Sequence, residues 1–360
     1  MRLGLVVGTR PEIIKMSPVV RQCQRQDLDF FLVHTGQHYS YNMDGLFFDE
    51  LDLPKPNFSL NAGSGGFSDQ LGKMMSGLER ILSDEKPDYV LGEGDTNSVL
   101  SAALVASNLR IPFVHLEAGL RSYNPVMQEE RNRIIADHMA DVLFPPTSFA
   151  SDVLLKEGIN PEKVFITGNT ITDAVEYYLP KAHDATSIEK FGLHPRQYFL
   201  TTLHRAENAD YDEILRQLLA NLKKVSEAYQ VPVVFPVHPR TRSRIEELQI
   251  TLPGCIRMID PVGFFDFLLL EQNALLVLTD SGGVQEECCI LQVPCITLRD
   301  DTERPETIDA GGNLLVGRTT KDLVIHVKEI LNRPRNWINP LGDGEVASHM
   351  IDRLLELNTK

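Results

Sequence analysis

Short apolar runs rich in β-branched residues alternate with longer helical patterns along the whole chain. This alternation is typical of parallel sheets whose strands are joined by crossover helices. The chain, with 360 residues, is longer than one ordinary core accommodates, so we expect two domains of roughly 150–200 residues each. The pattern predicts an α/β fold with two doubly wound domains facing a cleft, since open sheets of this kind bind ligands at the carboxyl ends of their strands.

The apolar runs locate the individual elements. In the first half, strands are expected at 2–8, 30–35, 88–93, 112–117, 142–145 and 163–168, and helices at 67–86, 97–108, 128–140 and 147–157. In the second half, strands are expected at 198–203, 231–237, 274–279, 294–298 and 313–316, and helices at 210–229, 241–248, 263–272, 283–291 and 320–331. Ser17 and Pro18 resemble an N-cap followed by proline at the first helical position, so the opening helix is expected to kink or restart there.

The polar stretch KAHDATSIEK, residues 181–190, predicts a linker between the domains. We accordingly expect an N-terminal domain over 1–175 and a C-terminal domain over 190–335. The last segment, 340–360, is amphipathic and is expected to form a helix that packs back on the N-terminal domain.

Composition restricts the partners. The 42% hydrophobic and 24% charged residues are typical of a soluble globular protein. A formal net charge of -15 argues against nucleic acid or a membrane as main partner, but not against a small anion, which responds to the local field. No apolar run approaches a membrane span, and a signal-peptide pattern is lacking. The five cysteines are scattered without metal-ligand spacing, which favours a cytoplasmic protein with no metal site.

The stretch VVGTRPEIIK, residues 6–15, turns from a strand into a helix at Gly8. Arg10 and Lys15 follow within the first turns of a helix whose N-terminus already favours negative charge. The stretch matches neither the dinucleotide motif G-x-G-x-x-G nor the phosphate loop ending in Gly-Lys-Ser/Thr. From these residues alone two interpretations stay open: the cations bind an anionic ligand, or they are surface charges.

The stretch TDSGGVQEE, residues 279–287, is the most informative of the strand ends. Ser281, Gly282 and Gly283 open a helix, where glycines let a phosphate approach the exposed backbone N–H groups. Glu287 lies one turn further, where a carboxylate can hold ribose hydroxyls. The alternative is that Ser281 only caps the helix, and we favour phosphate binding over it.

Other strand ends carry acids and a histidine. Asp95 fits an N-cap as well as a catalytic group, while Glu117 ends an apolar run and is expected to be partly buried, as functional carboxylates often are. Glu129 and Arg133 are spaced for a plain helix-face ion pair, and His204 is as often structural as catalytic at such a position.

In combination these stretches resemble the non-hydrolysing UDP-N-acetylglucosamine 2-epimerases, and the chain is identified as a member of that family. The resemblance runs in order through nearly the whole sequence: GTRPEIIK, HTGQHY, GDTNSVL, HLEAGLRS, EERNR, GNTITDA, LHRAEN, DSGGVQEE, TERPET and the GDG near residue 344. It implies the two Rossmann-like domains of GT-B proteins and a homodimer. It also implies a UDP-sugar as substrate, with neither NAD nor a metal as cofactor.

The resemblance also implies a reaction and the residues for it. In this family UDP leaves C1 as C2 loses its proton, giving 2-acetamidoglucal, and UDP then adds back while C2 is protonated on its other face. Catalytic positions are implied for Asp95, Glu117, Glu129, Arg133 and His204. Substrate contacts are implied for Arg10, Lys15, His238, Phe267, Ser281, Gly282, Gly283, Glu287 and Arg304.

The sequence departs from the family at a candidate allosteric site. Many bacterial members read QHREML after the second strand and bind a second, activating UDP-N-acetylglucosamine there. This chain keeps only Gln37 and His38 of that pattern, with Gln70 as a further candidate, which puts activation in doubt. Gln128 also replaces the proline that usually precedes the acid pair, and leaves the acids intact.

Three alternatives stay open. The first is the same reaction on a modified UDP-sugar, such as a 2,3-diacetamido uronic acid or a 6-deoxy sugar, although GTRPE favours the unmodified sugar over GARPQF-bearing relatives. The second is a GT-B glycosyltransferase, which would not need several acids and a histidine around C2. The third is a catalytically silent sensor of UDP-sugars, against which the retention of every candidate acid argues.

Overall fold

The structure is a computed structural model that describes residues 1–37, 47–63, 65–183 and 187–359. The chain divides into two units. Unit 1 comprises Met1–Ala174 with Leu341–Lys360, and unit 2 comprises Val175–Pro340. The helix Ile171–Ala182 contains the boundary. Within the described ranges, no helix is both long and apolar enough to cross a membrane.

Unit 1 contains six parallel strands: β1 (Arg2–Val7), β2 (Asp29–His34), β3 (Phe58–Ser59), β4 (Tyr89–Glu93), β5 (Phe113–Leu116) and β6 (Val142–Phe144). They pair in the order β3-β2-β1-β4-β5-β6. The helices whose bounds the structure gives in this unit include Arg10–Arg25, Phe67–Glu85, Asn97–Leu109, Gln128–Met139, Ser148–Lys156 and Val346–Asn358, with a 3-10 helix at Pro161–Lys163. The C-terminal helix of the chain packs against the first helix.

Unit 2 also contains six parallel strands: β7 (Phe199–Thr202), β8 (Val233–Pro236), β9 (Ile256–Ile259), β10 (Leu276–Thr279), β11 (Cys295–Thr297) and β12 (Asn313–Leu315). They pair in the order β12-β11-β10-β7-β8-β9. The helices are Ser187–Lys190, Ala206–Ala209, Asp212–Tyr229, Pro239–Glu247, Phe264–Asn273, Gly282–Ile290, Pro305–Asp309 and Leu323–Leu331. Alternate strand residues enter two different apolar clusters, since Val233 and Phe235 face one side of the sheet and Val234 the other.

The two sheets have the same strand order once each is numbered from its own first strand. In unit 1, β2 and β3 are added on one side of β1, and β4 to β6 are then added on its other side, so the switch lies between β1 and β4. In unit 2 the same switch lies between β7 and β10. Ligands of doubly wound sheets bind outside the carboxyl ends of the strands at this switch point. The α/β prediction is confirmed, and it directs attention to the loops after these four strands.

Three details of the sequence interpretation are wrong. Residues 163–168 form no strand, because only Val164 makes an isolated bridge, to Leu143, and Gly168 with φ of 98° ends the extended run. The edge strands β3 and β9 were not expected, since one is two residues long and the other is only partly buried. The first helix does not restart at Pro18 but runs unbroken from Arg10 to Arg25.

A serine explains how the first helix continues through a proline. Pro18 has no N–H to donate to the carbonyl of Ile14, four residues earlier. The Ser17 hydroxyl donates to that same carbonyl over 2.7 Å. Ser17 and Pro18 are both buried, so the replacement bond satisfies a carbonyl on a largely buried face of the helix.

We predict that Ser17→Ala destabilises unit 1 by about 1 kcal/mol, the usual net contribution of one hydrogen bond. In a Pro18→Ala background residue 18 again offers an N–H to Ile14, so the same Ser17→Ala change should cost much less. Thermal unfolding of the two single variants and the double variant measures this coupling. Equal costs of Ser17→Ala in both backgrounds would contradict the explanation.

Candidate active site

The carboxyl ends of β1, β4 and β5 bring a lysine and three glutamates together in unit 1. Lys15 and Glu12 lie on the helix after β1, Glu93 ends β4, and Glu117 directly follows β5. Lys15 Nζ is ion-paired with Glu117 and lies 3.5 Å from Glu93 Oε1, and none of these three side chains is more than 7% exposed. We call these four residues the Lys15 cluster.

Glu117 is held in an unusual backbone conformation. Its φ is 63°, in the left-handed region that few residues other than glycine adopt. Asn169 Nδ2 donates to Glu117 Oε1 over 2.5 Å, and Lys15 pairs with the same oxygen. Strain that surrounding contacts maintain is typical of functional positions. The expected burial of Glu117 is present, and Lys15 contacts this acid; a contact of Lys15 with a nucleotide stays a prediction.

Glu12 anchors the strand-to-helix corner. It is the third residue of the helix that Thr9 precedes, and it accepts from the backbone N–H of Gly8 over 3.0 Å and from the Thr96 hydroxyl over 2.7 Å. Gly8 is required at this corner, because a Cβ there would lie 1.9 Å from Ser98 Oγ. Burial raises the pKa of Glu12 from 4.5 to about 7, with these hydrogen bonds acting in the opposite direction.

Asp95 follows β4 and is ion-paired with Arg133. Arg133 also donates to Glu130 Oε2 over 2.9 Å, and Glu130 accepts from both the backbone N–H and the hydroxyl of Ser122 over 2.9 Å. Glu130 therefore fixes Arg133 against the preceding loop, while Asp95 stays 29% exposed. Glu129 is half buried on the same helix. The structure thus brings Asp95 and Arg133 into contact, and the role of Glu129 stays a prediction.

The remaining expected residues of unit 1 lie beside these groups. Arg10 is half buried, with its guanidinium carbon 5.6 Å from the centre of the Phe47 ring. Gln70 Nε2 donates to the carbonyl of Gln37 over 3.1 Å, so two of the three candidate allosteric residues are in contact. The third, His38, lies outside the described residues.

In unit 2 the switch point holds a histidine and a buried aspartate. His204 follows β7, Asp280 follows β10, and His204 Nδ1 lies 2.9 Å from Asp280 Oδ1. The backbone N–H groups of His204 and Arg205 and the Asn208 amide also donate to Asp280 over 3.0 to 3.1 Å. The charge of His204 and these donors lower the pKa of Asp280, although burial opposes them. The ring of His238 lies 5.9 Å from that of His204.

The helix Gly282–Ile290, which follows Asp280, begins with two glycines. Ser281 is its N-cap and accepts a backbone N–H of the first turn over 3.5 Å. Apart from its chain neighbours and its own helix backbone, a Cβ at Gly283 would meet no atom of the described residues within 4 Å, and one at Gly282 would lie 3.9 Å from the guanidinium of Arg304. Arg304 is 7% exposed and ion-paired with Glu286. A cation and the N-terminus of a helix therefore adjoin an unobstructed surface, which suits an anion.

Glu287 lies one turn into the same helix and is 8% exposed. Its neighbour Glu271 is fully buried on the helix Phe264–Asn273. Burial and the negative charge of Glu287 raise the pKa of Glu271 well above its ordinary value. A protonated Glu271 can donate to Glu287 and hold that carboxylate in place.

Two further expected residues have structural contacts as well. Phe267 is half buried and packs against the apolar cluster that contains Leu270 and Val284. His238 caps the helix Pro239–Glu247, where its Nδ1 accepts the backbone N–H of Arg240 over 3.2 Å. Contacts of Phe267 with a base and of His238 with an anion stay predictions.

Sequence reasoning assigned no role to several buried acids, among them Glu12, Glu93, Glu130, Glu271 and Asp280. A signal existed for Glu12, because Thr9-x-x-Glu12 is the pattern of a capping box. Glu93 and Asp280 end apolar strands, which marks them as buried acids. Glu130 and Glu271 carry no local signal, since their partners come from other elements.

Comparison with known proteins identifies one family across most of the chain. The family model described as UDP-N-acetylglucosamine 2-epimerase matches residues 21–355. The chain is 48% identical to a UDP-N-acetylglucosamine 2-epimerase of Methanocaldococcus jannaschii over 358 residues, which are 98% of either protein. It is 40% identical to a UDP-2,3-diacetamido-2,3-dideoxy-D-glucuronate 2-epimerase of Pseudomonas aeruginosa over 362 residues, which are 99% of this chain and 100% of the other.

The fold agrees with a solved structure. The crystal structure of the Methanocaldococcus jannaschii UDP-GlcNAc 2-epimerase in complex with UDP-GlcNAc and UDP matches with a TM-score of 0.93. The match covers 99% of this chain and 100% of that one. The likeness therefore extends over both units.

We predict that Glu12 makes the stability of unit 1 fall as pH rises. The folded state binds the Glu12 proton up to about pH 7 and the unfolded chain only up to about pH 4.5, so raising the pH between these values favours unfolding. The contribution is on the order of 3 kcal/mol across that window. Glu12→Gln should therefore reduce the fall of the thermal midpoint between about pH 5 and about pH 7.

The exposed Glu79 supplies a matched control for this experiment. Glu79→Gln should keep the pH dependence of the parent protein. A Glu12→Gln variant whose midpoint falls as steeply as that of the parent would show that Glu12 does not hold its proton in the folded state.

Proposed function

The chain belongs to the UDP-N-acetylglucosamine 2-epimerase family, and from this premise we propose that it interconverts UDP-N-acetylglucosamine and UDP-N-acetylmannosamine. The chain is accordingly an isomerase. The main support is the 48% identity to the Methanocaldococcus jannaschii enzyme over 98% of both proteins. The buried acids and cations at the switch points of both sheets agree with a reaction that moves a proton and releases a diphosphate.

The proposed mechanism follows from the chemistry of C2. This carbon has no adjacent carbonyl, so its proton is too weakly acidic for simple removal and return. In the proposed elimination a base takes the C2 proton while the C1–O bond breaks, and UDP leaves with the electron pair of that bond as 2-acetamidoglucal forms. UDP then adds back to C1, and an acid protonates C2 on the opposite face. Atoms and charge balance without another reactant.

We assign the proton transfers to Asp95, Glu117, Glu129 and His204. Among them, Glu117 is buried and is oriented by Lys15 and Asn169, which suits a group that acts at one fixed atom. Asp95 is partly exposed and held by its ion pair with Arg133, so it can approach a ligand.

We assign the nucleotide to unit 2. The surface beside Gly282 and Gly283 admits a diphosphate to the helix N-terminus, with Ser281 as a donor and Arg304 as the cation. Glu287 is assigned to the ribose, His238 to the anion and Phe267 to the uracil. The assignments of Arg10 to the diphosphate and of Gln37, His38 and Gln70 to a regulatory site follow the family resemblance.

A modified UDP-sugar is the second candidate substrate. The chain is 40% identical to the Pseudomonas aeruginosa epimerase, which acts on a 2,3-diacetamido uronic acid. The higher identity to the Methanocaldococcus jannaschii enzyme favours the unmodified sugar. We further propose a homodimer in the cytoplasm. The homodimer follows the family resemblance, and five unbridged cysteines are consistent with a reducing compartment.

We predict that the purified protein converts UDP-N-acetylglucosamine to its manno epimer, as followed by NMR. In D2O the product should carry deuterium at C2, because the C2 proton exchanges with solvent during elimination. Free 2-acetamidoglucal and UDP should also be detectable in small amounts. Product without deuterium at C2 would rule out the elimination. Turnover of only the UDP-linked 2,3-diacetamido uronic acid would favour the second candidate substrate.

We predict that two groups of variants separate by kinetic effect. Glu117→Gln and Asp95→Asn keep side-chain size but remove a proton-transfer group, so turnover should fall by on the order of 10²–10⁴. Their UDP affinity should change little. Ser281→Ala and Glu287→Gln should instead weaken UDP binding, because their assigned contacts are to the nucleotide.

Calorimetric titration with UDP and steady-state kinetics distinguish the two groups, and thermal unfolding confirms that each variant is folded. Gly283→Ala adds a direct test of the diphosphate site. Among the described residues outside its own helix, the new Cβ would meet no atom within 4 Å. It should leave the fold intact while obstructing the diphosphate. Near-normal turnover by Glu117→Gln would refute the assignment of Glu117.

A further inference from the structure

Glu93 lies against the assigned proton-transfer residue Glu117, yet the mechanism above gives it no task. The register of the sheet pairs Glu93 with Leu116, so the end of β4 adjoins the residue that follows β5. The Glu93 side chain is 3% exposed, and its Oε1 lies 3.5 Å from Lys15 Nζ, the ammonium that pairs with Glu117. Two ionised carboxylates are both acceptors, so a hydrogen bond between these two neighbouring carboxyl groups requires a proton on one of them.

The partners around the two carboxyl groups decide which of them holds the proton. Glu117 Oε1 receives a hydrogen bond from Asn169 and pairs with the Lys15 ammonium. Glu93 Oε1 has no hydrogen-bond partner among the residues that the structure describes, and its distance to Lys15 Nζ is 3.5 Å. Burying a carboxylate without donors costs far more free energy than burying a neutral carboxyl.

Resting on the proposed function, we propose that Glu93 is a positioning residue that stays protonated and donates to Glu117, fixing the orientation and the net charge of the proton-transfer site. In this state the one ammonium of Lys15 balances the one carboxylate of Glu117. Loss of the Glu93 proton would place two carboxylates beside that ammonium and would remove the donor. The orientation of Glu117 therefore depends on the proton of Glu93.

The surrounding charges support this state. Glu12 and Lys15 face Glu93 from the helix Arg10–Arg25, and Glu117 faces it from the end of β5. Burial, together with the charges of Glu117 and Glu12, raises the pKa of Glu93 well above its ordinary value, whereas Lys15 lowers it. Epimerisation should consequently decline as the pH rises through the range in which Glu93 ionises.

Two substitutions separate the roles of donor and titrating group. Glu93→Gln keeps an N–H donor toward Glu117 but cannot titrate, so its kcat/KM should be near that of the parent around neutral pH and should lose the decline with rising pH. Glu93→Leu keeps the approximate volume but has no donor. Its kcat should fall by about 10- to 100-fold at every pH, the cost of one hydrogen bond to a charged group. UDP affinity should be unchanged in both.

Infrared spectroscopy tests the proton without relying on turnover. Glu12 and Glu271 also contribute protonated carboxyl groups, so the spectrum of Glu93→Gln is subtracted from that of the parent protein at neutral pH, and the difference should show the C=O band of one further protonated carboxyl. If the two spectra agree, or if Glu93→Gln keeps the parent's decline with rising pH, the proposal is overturned. A difference band lost in Glu93→Gln, together with a parent protein that makes no manno epimer, would refute the proposed function and leave the protonated Glu93 supported.

Discussion

Lys15 is a cation buried in the interior of unit 1, and a buried ammonium is stable only beside a carboxylate in good geometry. Glu117 supplies that carboxylate from the end of β5, while Lys15 itself comes from the helix after β1. The pair therefore fixes the first helix relative to the sheet. Anything that shifts this helix by a fraction of a turn would separate the two charges, and the hydrogen bond that Glu12 accepts from the Thr96 hydroxyl, beyond the end of β4, helps to maintain its position.

The same strand order gives the two units equivalent positions for different chemistry. In each sheet the loops after the two strands at the switch point bring an acid to a basic partner. Unit 1 places Glu93, at the end of β4, 3.5 Å from Lys15, with Glu117 added from the neighbouring strand β5. Unit 2 places Asp280 against His204. A repeated topology thus determines where polar groups converge, whereas the identity of the side chains determines what each site can do.

The sequence predicted the fold class and most strands because their apolar periodicity is local information. It also indicated the loops that hold the site, since these follow the strand ends. It did not indicate that Glu130 holds Arg133 or that Glu271 adjoins Glu287. These contacts, and that of Ser122 with Glu130, join residues of different elements or loops and form only when the chain folds. The unbroken helix through Pro18 was missed for a related reason: the compensating bond from Ser17 depends on a side-chain orientation that a propensity pattern does not specify.

Asp280 and Glu93 are both buried acids at switch points, yet their environments act in opposite directions. Asp280 receives backbone and amide hydrogen bonds and faces His204, so its ionised form is stabilised in spite of burial. Glu93 faces two other glutamates and shares one lysine with Glu117, so its neutral form is stabilised. The number of donors around a buried carboxyl therefore decides its state more than its depth does. As a result, unit 2 presents a fixed negative charge behind His204, whereas unit 1 retains a proton beside Glu117.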